Sequence, residues 1–270
     1  MNPTNIQVSI NNIVPLSIVV PTMNNKQELI DTLESIVKFC PLSAQIIIID
    51  GGINKEDTQG IAKNIINRSH SLVFLEDKAR GVYHAQNKGI KACIGEWIMI
   101  LNSGDELNSS AKEILTKEFL FEYDNLQLLV FSQIAYSKTD KFQYYFSPTK
   151  TSVWPHQSIL VKKEVYDKYG YYREDFVSGS DQYYFAIIRK EVRFLIIDKF
   201  LTIFKLGGIS SKVNLRHSYE IFSIKRKLGN NYIYSFILSY IFPFIRLIIE
   251  KIFGKKFLYS IKTNFFEYYR

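Results

Sequence analysis

Three short polar clusters, each directly after an apolar run, hold residues of this 270-residue chain whose types suit chemistry. Pro21, Thr22 and Asn24 follow the β-branched run Leu16–Val20, Asp50, Gly51 and Gly52 follow four consecutive isoleucines, and Asn102, Ser103, Gly104 and Asp105 follow the run that starts at Trp97. A carboxylate with amide and hydroxyl oxygens beside it can hold a hard divalent cation that keeps water and phosphate oxygens in its shell. Asp105 is therefore a candidate ligand for such a cation. The same stretch also suits an Asx-type turn into a helix capped near Asn108, and Asp50-Gly51-Gly52 also suits an ordinary turn. Farther on, Ser180 and Asp181 open a helical stretch. A carboxylate there can take a proton from a reacting hydroxyl, or simply favour the helix through its dipole. His156 and Gln157 follow Trp154 and Pro155, a setting for either a ligand contact or a packed loop. No Gly-x-Gly-x-x-Gly follows the first strand, and there is no Gly-Lys-Ser or Gly-Lys-Thr loop, which weighs against dinucleotide oxidoreductases and P-loop enzymes.

These residues need a frame that brings distant positions together, and the first hundred residues alternate strand and helix signals. Leu16–Val20 reads as a strand, and Lys26–Phe39 as a helix with Leu29, Leu33, Ile36 and Val37 on one face and Asn25 with Glu28 as a capping pair. Gln45–Asp50 is apolar at nearly every position, as in a parallel strand buried on both faces. Thr58–Asn67 reads as a helix, Leu72–Leu75 as a strand, Val82–Ala92 as a helix and Trp97–Leu101 as a fourth strand. Four strands joined by three helical crossovers predict a doubly wound α/β sheet, in which ligands bind beyond the carboxyl ends of the strands. The three polar clusters all fall on that edge. The second half reads as mixed, with strands at Leu128–Ile134, Phe142–Phe146 and Phe194–Ile197 and helices at Lys163–Tyr169 and Asp181–Arg189.

Composition narrows the class further. At 47% hydrophobic the chain can bury a substantial core. Cys40 and Cys93 fall within helical segments and lack the paired spacing of a metal site or disulfide framework, so a reducing compartment is expected. Met1–Asn12 has neither the basic start nor the apolar run of a secretory signal, which points to the cytosol. The net charge of +8 is concentrated in the tail: residues 205–270 hold twelve Lys or Arg and three Glu, whereas residues 1–204 are near neutral. That distribution argues against a nucleic-acid partner. Tyr232–Ile245 is uncharged and aromatic, contains Pro243, and is followed by Arg246, Lys251, Lys255, Lys256 and Lys262. Its fourteen residues fall short of the roughly 20 that span a bilayer. A helix lying in the headgroup region of an anionic membrane is expected, with packing on the body as the alternative.

Taken in order, the motifs resemble those of bacterial family 2 glycosyltransferases of GT-A fold, similar to the enzymes of colanic acid, capsule and O-antigen assembly. The matches are Pro-Thr-x-Asn at Pro21–Asn24, Asp-Gly-Gly at Asp50–Gly52 and a Gly-Ile-Tyr-Asp-Ala-Met-Asn-Lys-Gly stretch, here Gly81–Gly89. Leu-Asn-Ser-Gly-Asp at Leu101–Asp105, His156-Gln157, Ser180-Asp181 and Gly-Gly-Ile-Ser at Gly207–Ser210 complete the series. The resemblance implies a GT-A Rossmann-like mixed sheet with helices on both faces. It divides the chain into a catalytic domain over residues 1–215, with a nucleotide-binding half 1–107 and an acceptor-binding half 108–215, and a basic amphipathic helical tail over 216–270. It implies that Pro21, Thr22, Asn24, Asp50, Arg80, Asn87, Asn102 and Asp105 bind a nucleotide-sugar donor, with the divalent cation on Asp105. Asp181 would be the general base, His156 and Gln157 would face the acceptor, and Gly207-Gly208 would close over the donor.

The implied reaction is inverting transfer from a nucleotide sugar, on family frequency a UDP-sugar, to a saccharide or lipid-linked acceptor at the inner membrane face. The chain departs from the family pattern on the donor side: His84 stands for the usual Asp, Ala79 stands where an Asp is common, and two extra residues lengthen the loop between Gly52 and Asp57. Two alternatives stay open. A sugar-phosphate nucleotidyltransferase would need a Gly-rich basic loop after the first strand, which Pro21–Lys26 is not. A sugar-nucleotide-binding protein without turnover would tolerate loss of Asp181.

Overall fold

A computed structural model describes residues 14–66, 70–137, 142–150, 154–206, 215–245, 247–249 and 251–254. Gly207–Ser210, expected to close over the donor, lies outside the described residues, as do the basic positions Arg246, Lys255, Lys256 and Lys262.

The first half is a four-stranded parallel sheet. Strands β1 (Leu16–Thr22), β2 (Gln45–Asp50), β3 (Ser71–Glu76) and β4 (Trp97–Ile100) lie in the order β3-β2-β1-β4. Strand β1 pairs with β2 from Ser17 opposite Gln45 to Thr22 opposite Asp50, and with β4 from Leu16 opposite Trp97 to Val19 opposite Ile100. Helices α1 (Lys26–Phe39), α2 (Lys55–Ile65) and α3 (Val82–Lys91) make the crossovers.

The apolar runs are explained by cover on both faces. Ile46 and Ile48 join Leu16, Ile18 and Val20 in a core beneath α1, formed with Leu29, Leu33 and Ile36. Ile47 and Ile49 point the other way, with Val19, into a second core that includes Ile90 of α3. A strand's side chains alternate between faces, so a strand buried on both sides is apolar throughout. Helix α1 begins as expected, with the Asn25 side chain accepting from Glu28 N at 3.2 Å. Helix α2 begins three residues before the expected Thr58, because Glu56 and Asp57 suit a first helical turn although they are polar. Cys40 and Cys93 are free and buried, just past the ends of α1 and α3.

The second half extends the same sheet. Strand β8 (Ile159–Lys162) lies antiparallel to β4, and β6 (Leu128–Ser137) antiparallel to β8. Strand β9 (Phe194–Lys205) runs parallel to β6, and the short β5 (Glu106–Leu107) pairs antiparallel with β9. Strand β7 (Phe142–Phe146) continues the edge of β6 beyond β8. The mixed sheet carries α4 (Ala111–Ile114) and α5 (Lys117–Glu122), then α6 (Lys163–Tyr169) and α7 (Ser180–Ile188). Two strands escaped sequence analysis, β5 and β8, because two and four residues are too short to show a period. Strand β9 runs on past Ile197 because Asp198 and Lys199, which interrupt its pattern, sit at an irregularity in its pairing with β6.

Helix α8 (Leu215–Lys227) packs on the body through Ile221 and Ile224, which join the core of Tyr83, Trp154 and Tyr184. After it, α9 (Tyr232–Phe236) starts a helix that runs to Gly254, 23 residues with mean hydropathy 1.7. The sequence reading stopped this segment at fourteen residues, where charge begins. A helix propagates through its backbone hydrogen bonds, so the charge at Lys251 does not end it.

Glycine lets the first half pack closely. A Cβ on Gly89 of α3 would press against Val19 Cγ1 and lie within 2.6 Å of Ile49 Cδ1. Gly89→Ala is expected to destabilise the protein by about 1–3 kcal/mol through overpacking, seen as a lower urea midpoint at unchanged transition slope.

Candidate active site

The donor rim is set by strand register. Thr22 and Asp50 are direct partners at the carboxyl ends of β1 and β2, and Gly51 N donates to Thr22 O at 3.0 Å. Both side chains are buried. Asp50 Oδ1 accepts from Gly52 N at 2.7 Å, and its Oδ2 has no donor among the described residues. A buried carboxylate oxygen without a partner is costly unless a ligand supplies one. Asn24 adopts the left-handed conformation with φ 56°, and its side-chain oxygen accepts from Ile53 N at 3.0 Å. Gly52 makes this possible, since a Cβ there would lie 2.8 Å from Asn24 Oδ1 and 2.9 Å from Asp50 Oδ1. Thr22, Asn24, Lys26, Gly52 and Asn54 line a solvent-open cleft of about 570 Å³.

The β4 edge joins this rim. Leu101 N donates to Val19 O and Ser103 N to Pro21 O, at 2.9 and 3.0 Å, which carries the end of β4 along β1 past the strand itself. Asp105 follows, 4% exposed, with Oδ1 accepting from Lys205 N at 3.1 Å and its carbonyl from Thr32 Oγ1 at 2.8 Å. Burial pushes its carboxyl up to about 7, partly offset by Lys205 N, the His156 ring and the Gln157 side chain, while Glu28 adds to the rise. Among the described residues no group of three His, Cys, Asp or Glu side chains gathers to hold a cation. Asp105 is thus a buried carboxyl short of positive charge, and a cation placed there would need phosphate oxygens and water to complete its shell.

A second carboxylate sits in a different environment. Asp181, in the first turn of α7, is buried, and its two oxygens are held from opposite sides. Tyr83 Oη donates to Oδ1 at 2.8 Å, and His156 Nδ1 lies 2.9 Å from Oδ2. Tyr83 Oη also accepts from Ser180 N at 3.1 Å. Burial raises the Asp181 carboxyl, but the imidazole of His156, the Tyr83 hydroxyl and the Gln182 backbone N–H outweigh it and hold the group below the ordinary carboxylate range. Burial likewise lowers the His156 ring, but Asp181 and Asp105 raise it above its ordinary value. On its other side His156 Nε2 lies 3.1 Å from Asn102 Nδ2, and Asn102 Oδ1 accepts from Gln86 Nε2 at 2.9 Å. Gln86 Oε1 is buried without a partner. Turning the Asn102 amide over gives a protonated His156 an acceptor, and turning Gln86 with it gives Gln86 Oε1 a donor but puts its Nε2 where the oxygen had no partner.

His156 and Gln157, expected on the acceptor side, therefore bridge the two carboxylates: His156 holds Asp181 and Gln157 holds Asp105. Arg80 is exposed in the loop between β3 and α3. Asn87 is corrected. Its Nδ2 donates to Tyr172 O at 2.8 Å and Glu174 Oε1 at 3.0 Å, and its Oδ1 accepts from Tyr172 N at 3.0 Å. Both amide hydrogens are thus used to pin residues 172–174 onto α3, which leaves none for a diphosphate. Asp77 was missed. It is buried beside the rim, its N–H donates to Asp50 O at 2.7 Å, and its Oδ1 lies 2.8 Å from His84 Nδ1, though out of line for a hydrogen bond. The only signal in the sequence was that a histidine had replaced an acid there while an acid stood two positions before Ala79.

The His156–Asp181 pair makes stability depend on pH in a defined window. The His156 ring is raised above its ordinary 6.5, so its contribution is complete below 6.5 and is lost as pH rises through the raised value. The Asp181 carboxyl is lowered below its ordinary 3.8, so its contribution is complete above 3.8 and is lost as pH falls through the lowered value. Thermal midpoints measured against pH are expected to fall on both sides of that window. In His156→Gln the midpoint should be lower throughout, because a buried carboxylate loses its cation, and the decline on the alkaline side should disappear.

Comparison with known proteins agrees with this fold. The chain is 30% identical over 115 residues to the PGL/p-HBAD biosynthesis glycosyltransferase of Mycobacterium tuberculosis, a match covering 42% of this chain and 44% of that protein, less than half its length. An uncharacterized glycosyltransferase of Methanocaldococcus jannaschii is 21% identical over 236 residues, covering 80% of each chain. Among solved structures, residues 1–349 of Staphylococcus aureus TarS in complex with UDP-GlcNAc superpose with TM-score 0.66 at 15% identity, covering 90% of this chain and 76% of that one. The mannosyltransferase PcManGT of Pyrobaculum calidifontis, in complex with GDP-Man and Mn²⁺, gives 0.58 at 11% identity, covering 94% and 80%. These structural likenesses establish the fold. Residues 17–193 match the family described as Glycosyl transferase family 2, and with two thirds of its length inside that match the chain belongs to this family of glycosyltransferases.

Proposed function

We propose that the protein transfers a sugar from a UDP-linked donor to a hydroxyl of a lipid-linked saccharide precursor, with inversion at the anomeric carbon. The observation that carries this reading is Asp181, a carboxylate held ionised at the head of α7 and joined through His156 to Asn102 at the end of β4. In this reading Pro21, Thr22, Asn24 and Asp50 hold the base and ribose, and Asp50 Oδ2 meets the donor it otherwise lacks. Arg80 and Asn102 flank the diphosphate. Asp105 would hold a Mg²⁺ or Mn²⁺ ion, which would offset the charge of the diphosphate.

The acceptor hydroxyl attacks the anomeric carbon from the face opposite the leaving group. A C–O bond to the acceptor forms as the bond to the diphosphate oxygen breaks, and the hydroxyl proton passes to Asp181. Of the four lone pairs on the Asp181 oxygens, three face Tyr83, His156 and the Gln182 N–H, so one is left to accept while the carboxylate is still held. UDP is favoured by the TarS neighbour, whose complexes hold UDP and UDP-GlcNAc. The alternative of donor binding without turnover is separated by one variant. Asp181→Asn is expected to keep the thermal stabilisation given by UDP-sugars with Mn²⁺ and to lose transfer by at least about 10²-fold. Transfer at the normal rate would remove Asp181 as base.

The tail supports a place on the inner face of the cell membrane. Along the helix from Tyr232, Ser235 and Ser239 are the buried residues, whereas Ile233, Phe236, Phe242 and Phe244 are exposed. This arrangement is inverted for a helix in water and suited to one against lipid. The basic excess of residues 205–270 supplies attraction to anionic headgroups. Removing residues 232–270 is expected to abolish sedimentation with anionic vesicles, and retained binding would show that the tail is not the anchor.

A further inference from the structure

We propose that Glu220, on α8, is a positioning residue for Asp181, so that α8 belongs to the catalytic machinery and is more than a link to the apolar tail. Glu220 is 4% exposed. Its Oε1 accepts from Val177 N at 2.8 Å and its Oε2 from Ser178 N at 2.9 Å. Ser178 Oγ adds a bond to Oε2 at 3.3 Å and also meets His217 Nδ1. Arg216 Nε stands 3.5 Å from Oε1. One buried carboxylate thus grips two successive backbone N–H groups, a bidentate and charge-assisted arrangement that fixes both position and direction.

What it grips is the last turn before the candidate base. Residues 177 and 178 lead into Gly179, whose φ of +81° turns the chain into α7, and then into Ser180 and Asp181. The same turn is pressed from the other side. A Cβ on Gly179 would lie 3.1 Å from Ile224 Cδ1 and 3.5 Å from Ile221 Cδ1, so α8 closes against the turn with no space left. Tyr83 and His156 fix the oxygens of Asp181, whereas Glu220 fixes the backbone that carries it. A general base must meet the acceptor hydroxyl within hydrogen-bond reach, and small displacements at such a site cost rate steeply.

This rests on Asp181 acting as the base, and the test separates the two ideas. Glu220→Gln keeps the side-chain volume but turns an N–H₂ group toward one of the two backbone donors. In the full-length protein it is expected to lower kcat by roughly tenfold or more, to leave the donor KM within about twofold, and to speed hydrogen exchange at the Val177 and Ser178 amides. Glu220→Asp, which keeps the carboxylate on a shorter stem, should fall between wild type and Glu220→Gln on all three readouts, and it decides the matter if Glu220→Gln fails to fold. Wild-type kcat in Glu220→Gln, or a loss of rate that appears equally in donor KM, would overturn the proposal. Normal transfer by Asp181→Asn would instead remove the base assignment, and the exchange rates would still report whether Glu220 holds the turn.

Discussion

The arrangement depends on one constraint: β1 is hydrogen-bonded in parallel to both β2 and β4 while its side chains are buried on both faces. Parallel neighbours end at the same edge, and at that edge the next residues of each strand are free to leave the sheet. Thr22, Asp50 and the Asn102–Asp105 turn therefore meet at one rim although more than fifty residues separate Asp50 from Asp105. Between β1 and β4 the chain also changes face, since α1 and α2 cover one side and α3 the other. The crevice at this switch is where an open α/β sheet leaves room for a ligand.

Two buried carboxylates at this edge are pushed in opposite directions, and the difference lies in what surrounds them. Asp105 has a backbone N–H and an amide for company and is raised, while Asp181 has an imidazole and a phenol and is lowered. The dipeptide His156-Gln157 reaches both. Titratable groups whose surroundings separate them in this way are suited to different tasks. Here one is a carboxyl raised by burial and short of positive charge, and the other is a carboxylate held ionised.

Helix α8 links this chemistry to the end of the described chain. Its inner face packs Ile221 and Ile224 beneath the turn at Gly179 and gives a carboxylate to the backbone of residues 177 and 178. The helix that follows buries serines and exposes phenylalanines and isoleucines. Water favours the reverse pattern, which is the observation behind the proposed membrane contact of this stretch.

The sequence alone determined the parallel first half, because a doubly covered parallel strand has to be apolar at every position and a crossover helix has to repeat every three to four residues. Both signals are local. It also located the polar clusters at strand ends, since ladder pairing requires the apolar run to stop where the ligand edge begins. Only the tertiary structure decided what each polar side chain does there. Asn87 and Asn102 share a residue type and a motif series, yet Asn87 is used up on the backbone of Tyr172 while Asn102 faces His156. His84 beside Asp77, Gln157 on Asp105 and Glu220 on residues 177 and 178 were equally invisible. A side chain's hydrogen-bond partner depends on which segments the fold brings within about 3 Å, and such contacts between segments distant in sequence leave no period to read.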